Sequence, residues 1–271
     1  MNLKILLSTL LITSITSLYT HRVAHGQEMN SISLDGDWTM KHFDFGMGTW
    51  KPAWGIFMAF PPPEVDQLRK DAMTIQVPGS IQHSLVDLGI VEDPYIGDNA
   101  KEILWVEEHE WWLTKSVDIP EEWEGKGISL KCNMINYQAD VWVNDTWVGR
   151  TIGNYLPMDI AVAKQLTYGA KNDIVVRLRA PENSTNYIKN NLFIDWRIRD
   201  REVLHERPWV TPSNPQAGEY LISKCFFGWD WGPHLVPIGI LQPIKLEAKD
   251  QQTVENVFVK TTSIDNNEAS L

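Results

Sequence analysis

One stretch decides the fold class of this chain: Ala139-Asp-Val-Trp-Val-Asn-Asp-Thr-Trp-Val-Gly149. Two strand-like segments rich in Val and Trp flank Asn144-Asp145, and such a pair is typical of the two-residue turn of a β-hairpin. We therefore predict a tight hairpin whose strands cover 139–143 and 146–149.

In other segments, such as 111–119 and 128–132, apolar residues recur at every second position, as in β-strands. Short helices are predicted only over 64–73 and over 81–88, where Ser80 is a suitable N-cap and Gly89 a suitable stop. Strands at this spacing with so few helices predict an all-β, two-sheet sandwich rather than βαβ units. The further strands are predicted over 74–78, 111–119, 128–132, 173–179, 222–227, 240–248 and 256–261.

Two long stretches lack the alternation. Residues 46–63 are rich in glycine, proline and aromatic side chains and end in Pro61-Pro62-Pro63, which excludes a helix there. Residues 182–218 combine polar and charged runs with prolines, and a loop of this length is either functional or disordered. Trp196 and Trp209 favour a functional or packed loop.

The composition is that of an acidic globular protein rich in tryptophan. The 271 residues carry a formal net charge of −11, which argues against nucleic acids and anionic membranes as partners because both attract basic surfaces. Hydrophobic residues make up 43% of the chain, enough for a substantial core. There are 13 tryptophans, and this side chain suits places where a flat apolar face meets a partly polar partner.

Residues 1–26 have the pattern of a secretory signal peptide. Lys4 precedes an apolar run from Ile5 to Leu18, and Ala24-His25-Gly26 supplies small residues at a cleavage site before Gln27. The alternative, a membrane anchor, fits less well because the run is shorter than the roughly 20 residues of a membrane span. We therefore expect a secreted or periplasmic protein.

No metal site and no cofactor is predicted. Cys132 and Cys225 lack histidines at metal-ligand spacing. An exported protein can pair two such cysteines, but both also suit small core positions in strands, so these alternatives stay open. The scattered histidines are expected to be hydrogen-bonded or exposed: His42, His83, His109, His205 and His234.

The most unusual cluster is Phe226-Phe-Gly-Trp-Asp-Trp-Gly-Pro233, in which an acid stands between two indoles. In an extended segment Trp229 and Trp231 share one face, with Asp230 on the other, and a turn at Gly232-Pro233 brings all three to a rim. This set suits a carbohydrate, because sugar C–H faces pack on indoles and adjacent hydroxyls donate to a carboxylate. A buried corner, with the aspartate held by backbone amides, explains the cluster equally well.

Gly228-Trp-Asp-Trp-Gly-Pro233 resembles the signature of the N-terminal domain of family 2 glycoside hydrolases of the β-mannosidase type. The resemblance covers about residues 30–249, and further segments agree in the same order. They are Leu34-Asp-Gly-Asp-Trp38, Val77-Pro-Gly-Ser80, Asp93-Pro-Tyr-Ile-Gly-Asp-Asn99, Trp105-Val-Glu-Glu108 with Trp111-Trp112, Ala139-Asp-Val-Trp-Val-Asn144 with Val148-Gly149, and Gly239-Ile240 before Pro243-Ile-Lys-Leu-Glu247.

This resemblance implies a jelly-roll, galactose-binding-domain-like sandwich at the start of a longer enzyme. In the family an immunoglobulin-like sandwich and a (β/α)8 barrel follow, and the barrel holds the acid/base and nucleophile Glu residues of a retaining hydrolysis of terminal β-D-mannosides. A barrel needs about 250 residues, so we expect it to lie outside this chain and assign no catalytic residue. The expected domains are a signal peptide (1–26), the sugar-binding sandwich (27–249) and the truncated start of the immunoglobulin-like domain (250–271).

The resemblance also implies roles for individual residues. In this family the Trp-Asp-Trp loop reaches over the mouth of the barrel. Asp230 is therefore expected to accept hydrogen bonds from hydroxyls of the terminal sugar, with Trp229 and Trp231 as walls of the pocket. Asn99 is a second candidate, which either contacts the substrate or only holds a turn.

The chain also has two acidic pairs and one departure from the family pattern. Glu107-Glu108 and Glu121-Glu122 are interpreted as solvated surface, because neighbours on a strand point to opposite faces and cannot flank one glycosidic bond. Family members often carry Arg-Lys where this chain has Leu221-Ile222, with Lys224 as the nearby cation.

Two functions from different classes fit these residues. The first is the substrate-pocket domain of a β-mannosidase-like exo-glycosidase, which binds a β-mannoside or manno-oligosaccharide and is inactive without its barrel. The second is a stand-alone carbohydrate-binding module that uses the same side chains. Relatives of the same architecture act on β-galactosides or β-glucuronides, so the sugar itself stays open.

Overall fold

The hairpin predicted from Asn144-Asp145 is present and forms one edge of the larger of two sheets. In a computed structural model of the chain, β8 (Gln138–Val143) pairs with β9 (Thr146–Ile152). Asn144 and Asp145 have φ angles of 46° and 63°, a left-handed region that Asn and Asp tolerate better than other side chains. The structure describes residues 30–44, 64–181, 221–250, 258–265 and 268–270.

Most of the remaining elements are short strands. The other strands are β1 (Asn30–Ser33), β2 (Gly36–Asp44), β3 (Met73–Val77), β4 (Gly79–Ser80), β5 (His109–Ile119), β6 (Gly127–Cys132), β7 (Ile135–Asn136), β10 (Met158–Ala161), β11 (Ala170–Arg179), β12 (Phe227–Trp229), β13 (Gly232–His234), β14 (Gly239–Ile240), β15 (Ile244–Lys249), β16 (Ser263–Asp265) and β17 (Glu268–Ser270). The α-helices are α1 (Val65–Arg69), α2 (Ile81–Asp87) and α3 (Asn99–Glu102). Single 3-10 turns cover Leu104–Glu108, Glu121–Trp123, Ala163–Gln165 and Lys224–Phe226.

Two antiparallel sheets form a jelly-roll β-sandwich, which confirms the predicted fold class. The larger sheet has the strand order β3-β2-β5-β11-β8-β9, and the smaller has β1-β15-β6-β10. A third sheet joins β4, β14 and β7, while β12-β13 and β16-β17 are separate hairpins. Strand β5 therefore lies in the interior of the larger sheet, with β2 and β11 on its two sides.

The core between the two sheets follows from the alternation along their strands. On β5, Trp111, Leu113 and Ile119 are at most 1% exposed. On the smaller sheet, Leu130 and Leu246 lie opposite each other on β6 and β15 and are fully buried. Burying an apolar side chain of this size contributes about 1.5–3 kcal/mol, so this layer is the main source of the sandwich's stability.

Both predicted helices are present as α1 and α2, and α3 is a further turn that the sequence pattern did not indicate. The Ser80 hydroxyl accepts a hydrogen bond from the backbone N–H of His83 at 3.1 Å and caps α2. Gly89 follows the helix with a φ of 68° and ends it. Ile81 and Leu85 are buried, so α2 packs its apolar side onto the core.

The outer face of the larger sheet buries charged groups between aromatic rings. Trp112 and Trp142 stack with ring centroids 5.3 Å apart, and the Arg177 guanidinium lies 5.2 Å and 5.4 Å from these centroids. Asp140 accepts hydrogen bonds from Arg177 Nη2 at 2.8 Å and from Arg150 Nε at 2.6 Å. Burial alone would raise the pKa of Asp140, but the guanidinium groups more than offset it and hold the pKa below its ordinary value.

Three strand predictions towards the C-terminus are wrong in part. Over 222–227 the chain forms the 3-10 turn Lys224–Phe226, whose first amides Ser223 caps, and a strand begins only at Phe227. The single strand predicted over 240–248 is divided into β14 and β15. Of the strand predicted over 256–261, residues 258–261 lie in no strand, and β16 and β17 pair with each other further on.

Several other predictions concern segments outside the described residues. These are the leader over 1–26 and the long stretches over 46–63 and 182–218. Among the residues that the structure describes, no helix has the length and apolar character needed to cross a membrane.

The two cysteines are free thiols in the structure. Cys132 is buried, as the core alternative predicts, whereas Cys225 is exposed, and no disulfide joins them in the structure. Burial raises the pKa of the Cys132 thiol, which keeps this group protonated and unreactive at neutral pH.

A carboxylate on the smaller sheet is held by three lysines. Glu247 on β15 is 5% exposed at its side chain, and its oxygens lie 2.8 Å from Lys245 Nζ, 2.9 Å from Lys131 Nζ and 3.6 Å from Lys249 Nζ. Hydrogen bonds from Lys245 and Lys131 lower the pKa of Glu247 to about 2. The charged form of Glu247 therefore stabilises the pairing of β15 with β6.

Replacing Glu247 by Gln is expected to flatten the loss of stability in acid. Because the pKa falls from 4.5 to about 2 on folding, the contribution of this group is complete above pH 4.5 and is lost as the pH falls towards 2. At neutral pH, Glu247→Gln should lower the free energy of unfolding by about 1–3 kcal/mol. Urea unfolding across this pH window measures both effects, with Glu121→Gln at an exposed carboxylate as the control. If the free energy of unfolding falls equally steeply with decreasing pH in Glu247→Gln and in the parent, the lowered pKa of Glu247 would be contradicted.

Candidate functional site

The Trp-Asp-Trp cluster forms the tip of a small hairpin. After the 3-10 turn at Lys224–Phe226, β12 pairs with β13 so that Trp229 lies opposite Gly232, and only Asp230 and Trp231 remain for the turn. Gly228 has a φ of 95°, which a side chain would strain, so the glycine permits the entry into this tight turn. The predicted turn at Gly232-Pro233 is therefore two residues too late, because those residues belong to β13.

All three predicted site residues lie exposed at this tip. Trp229 is 43% exposed and Trp231 is 76% exposed, and their ring centroids are 5.8 Å apart with the planes at 62°. Asp230, which stands between them in the sequence, is exposed, and within the part of the chain that the structure describes it has no hydrogen bond or ion pair. This exposure excludes the buried-corner interpretation of the cluster.

The base of the hairpin is buried in an apolar cluster of its own. Phe227, Ile222 and Val236 pack with Tyr137 of the chain between β7 and β8, and all four are at most 5% exposed. The Tyr137 hydroxyl accepts a hydrogen bond from the backbone N–H of Leu221 at 3.3 Å, and burial raises the pKa of this tyrosine. Packed apolar side chains thus attach the hairpin to the sandwich.

Polar side chains of the sandwich hold the chain that follows the hairpin. Gln82 of α2 donates to the carbonyl of Val236 at 2.6 Å and accepts from the N–H of Ile238 at 3.1 Å. Asn136 of β7 donates to the carbonyl of Pro237. Buried backbone groups need such partners, so residues 236–238 run in a fixed path beneath the hairpin.

Glu107 is a buried anchor of the hairpin, and its interpretation as solvated surface is wrong. Its side chain is 9% exposed and accepts at Oε2 from His234 Nε2 at 3.0 Å and at Oε1 from the N–H of Val236 at 3.4 Å. The prediction failed because it placed Glu107 on a strand, whereas the residue belongs to the 3-10 turn Leu104–Glu108. Glu121 and Glu122 are exposed as predicted.

Asn99 holds a turn, one of the two roles considered for it. Its side-chain amide donates to the carbonyl of Asp93 at 3.0 Å, while the Asp93 carboxylate accepts from the N–H of Tyr95 at 2.9 Å. Helix α3, which begins at Asn99, lies against β13. The loop that precedes α3 therefore adjoins the hairpin, and it exposes Tyr95 and Ile96 to solvent.

The histidines and the acidic residues give no metal site in the part of the chain that the structure describes. No group of three or more His, Cys, Asp or Glu side chains is placed to hold an ion there. His83 lies 3.5 Å from Asp87, and His109 Nδ1 lies 2.8 Å from the carbonyl of Trp105. Both imidazoles therefore have partners within the protein.

Sequence reasoning missed four residues that position the site: Gln82, Glu107, Asn136 and Tyr137. Glu107 had a signal, since it lies in the segment Trp105-Val-Glu-Glu108 shared with the glycoside hydrolase pattern. The other three are polar or aromatic residues whose partners lie far along the chain, and no local pattern marks them.

The fold and the anchored hairpin define a galactose-binding-like β-sandwich of the kind found in glycoside hydrolases. Residues 64–242 match the family model described as glycosyl hydrolase 2 galactose-binding domain-like, and the chain belongs to this family.

Named relatives agree with this assignment. A β-mannosidase of Capra hircus is 27% identical over 199 residues, which are 70% of this chain and 21% of the goat protein. A probable β-mannosidase of Caenorhabditis elegans is 24% identical over 177 residues, 63% of this chain and 19% of that protein. The chain thus spans about a fifth of the length of these relatives.

Solved structures show the same fold. A β-D-mannosidase from Dictyoglomus thermophilum superposes with a TM-score of 0.58 at 24% identity, covering 88% of this chain and 25% of that one. A β-glucuronidase from an uncultured Clostridium species superposes with a TM-score of 0.51 at 15% identity, covering 90% and 33% of the two chains. The sandwich is therefore shared by enzymes named for different sugars.

Replacing Asp230 by Ala is expected to leave the stability of the chain almost unchanged. The side chain is exposed and has no hydrogen bond or ion pair among the described residues, so the free energy of unfolding should change by no more than about 0.5 kcal/mol. Phe227→Ala, at the buried base of the same hairpin, should instead cost about 3 kcal/mol or more. Urea unfolding of both variants measures the contrast, and a large loss for Asp230→Ala would show that the carboxylate has a structural partner.

Proposed function

We propose that this chain supplies one wall of the substrate pocket of a β-mannosidase-like retaining exo-glycosidase. In this proposal Asp230 accepts hydrogen bonds from hydroxyls of a terminal β-D-mannoside, and Trp229 and Trp231 pack against the sugar. The observation that carries it is a carboxylate with no partner among the described residues, held between two exposed indoles on an anchored hairpin of a glycoside hydrolase family 2 sandwich.

The chemistry of the tip suits a sugar. A carboxylate offers two acceptor oxygens and can receive two adjacent hydroxyls, and the C–H face of a pyranose packs on an indole. The two indoles contact each other edge to face, with their planes at 62°, so together they form an angular rather than a flat aromatic surface.

Catalysis is proposed to come from a barrel domain outside the described residues. Retaining hydrolysis needs two carboxyl groups about 5–5.5 Å apart, and we assign neither of them to this chain. Small-ligand sites bury most of the ligand surface, whereas an exposed hairpin tip covers one side of a sugar. A partner surface that closes over the tip completes the pocket in this proposal.

The relatives support mannose as the sugar, and the leader supports export. Both named relatives carry the name β-mannosidase, and the proposed specificity follows them. The signal-peptide pattern of residues 1–26 leads us to propose a secreted or periplasmic location, where polymeric or oligomeric mannosides are accessible.

Fluorine NMR of the chain labelled with 5-fluorotryptophan tests the sugar contact. Trp229→Phe and Trp231→Phe assign the two signals, and titration with methyl β-D-mannoside should move only these two. A single wall buries little of the ligand, so the dissociation constant should lie at about 1–10 mM. Asp230→Asn should remove the response, while Asp118→Asn, at an exposed carboxylate of β5, should preserve it.

Other outcomes decide against the proposal in distinct ways. No shift at sugar concentrations of about 100 mM, far above the expected constant, would exclude contact of the tip with the sugar. A dissociation constant below about 0.1 mM would indicate a stand-alone binding module. A stronger response to methyl β-D-glucuronide or galactoside would change the sugar class. Hydrolysis of 4-nitrophenyl β-D-mannoside by the purified chain would show that the chain itself carries catalytic groups.

A further inference from the structure

Glu107 is an acidic side chain that joins the body of the sandwich to the hairpin itself. We infer that Glu107 is a positioning residue for the Trp229-Asp230-Trp231 turn: it sets where Asp230 stands without touching a ligand. The consequence for sugar binding rests on the proposed function, whereas the placement of the turn does not.

The backbone that carries Glu107 is fixed. The 3-10 turn Leu104–Glu108 runs directly into β5, an interior strand of the larger sheet. Val106 is fully buried, and its carbonyl accepts a hydrogen bond from Trp111 Nε1 at 2.8 Å. Glu107 therefore extends from a rigid part of the sandwich rather than from a loop that can follow the hairpin.

The two oxygens of Glu107 hold the end of β13 and the chain just after it. Oε2 contacts His234 Nε2 at 3.0 Å, and Oε1 accepts the N–H of Val236 at 3.4 Å. His234 is the last residue of β13 and lies opposite Phe227, the first residue of β12. Fixing this rung fixes the orientation of the next one, Trp229 opposite Gly232, from which the turn projects.

The ring of His234 also contacts the other strand. Its centroid lies 5.7 Å from that of Phe227 with the planes at 63°. Phe227 is buried in the apolar base, so the Glu107–His234 contact couples the polar anchor to the packed one. Both strands of the hairpin are thereby held at the rung farthest from Asp230.

Gln82 provides a matched comparison, because it anchors the same chain by the same kind of contact further on. Both side chains reach Val236, which lies beyond the hairpin, but the second contact of Gln82 is to Ile238 further along the chain. The second contact of Glu107 is to His234, the last residue of the hairpin. Loss of Gln82 should loosen the chain after the hairpin and leave the turn in place. Loss of Glu107 should free the turn itself.

Conservative replacement separates positioning from general stability. Glu107→Gln keeps the length of the side chain, retains an acceptor for the N–H of Val236 and can still hydrogen-bond to His234. Glu107→Ala removes both contacts and takes away the acceptor of the buried N–H of Val236. A residue that positions the turn should therefore be rescued by Gln and not by Ala.

Hydrogen exchange followed by mass spectrometry on the full 271-residue chain tests the inference. In Glu107→Ala the amides of residues 227–235 should exchange about tenfold faster, since a lost buried contact shifts local opening by about that factor. In Glu107→Gln and in Gln82→Ala the same amides should stay within about threefold of the parent. Amides of β11 should be unchanged in all three variants.

Several results would overturn the inference. These are unchanged exchange of the hairpin in Glu107→Ala, no rescue by Gln, or equal acceleration by Gln82→Ala. If Glu107→Ala fails to fold, which faster exchange in β11 reveals, His234→Ala decides instead. That variant removes the same contact from the half-buried side, and it should speed exchange of the hairpin alone; protection equal to the parent's would overturn the assignment.

The sugar titration separates this inference from the proposed function. If the parent chain responds to methyl β-D-mannoside, Glu107→Ala should weaken the response about tenfold, in line with the loss of order at the turn, and Glu107→Gln should restore it. If the parent does not respond, the proposed function fails, while the exchange measurement still decides whether Glu107 positions the turn.

Discussion

A hairpin with three residues in each strand cannot hold its shape in water without support from the rest of the molecule. Only two residue pairs join β12 to β13, and the tip carries two indoles that are partly (Trp229) and mostly (Trp231) exposed to solvent. What fixes the tip is burial below it, where Phe227 packs with Tyr137 and Glu107 binds His234. The position of every group at the candidate site depends on this base.

The base of the hairpin in turn depends on β5, the strand that follows the 3-10 turn Leu104–Glu108. Strand β5 is hydrogen-bonded on both sides and packed on both faces, with Trp111 in the core and Trp112 stacked on Trp142. Glu107 stands two residues before this strand. The sheet therefore holds the 3-10 turn through the contact of Trp111 with Val106, and the turn holds the hairpin through the contact of Glu107 with His234.

Signals that are local in the sequence predicted local structure correctly. The turn at Asn144-Asp145 and the cap at Ser80 depend on the conformational preferences of the residues themselves, and both are present. The sandwich class followed from the alternation, because alternation reports which face of a strand is buried. The family pattern added the expectation of a galactose-binding-like jelly roll.

Features that depend on distant partners were not predictable in the same way. Residues 222–227 have the apolar composition of a strand, but Ser223 caps a 3-10 turn and Gly228 redirects the chain. Glu107 was taken for a surface residue because its partner His234 stands 127 positions later. Charged residues are buried only when something pairs with them, and a single sequence does not reveal which residue that is.

The open geometry of the tip bears on how such a site can discriminate. At an exposed carboxylate, water competes with each sugar hydroxyl for the same lone pairs, so the net gain from one hydrogen bond is small. The gain becomes large only when water is excluded, because an unpaired acceptor then carries its full desolvation cost. In the proposed pocket, two tasks are therefore separate: the sandwich fixes the position of Asp230, and closure of a second surface over the tip excludes water. Under that proposal, the anchoring of the hairpin base matters more to selectivity than any further contact at the tip.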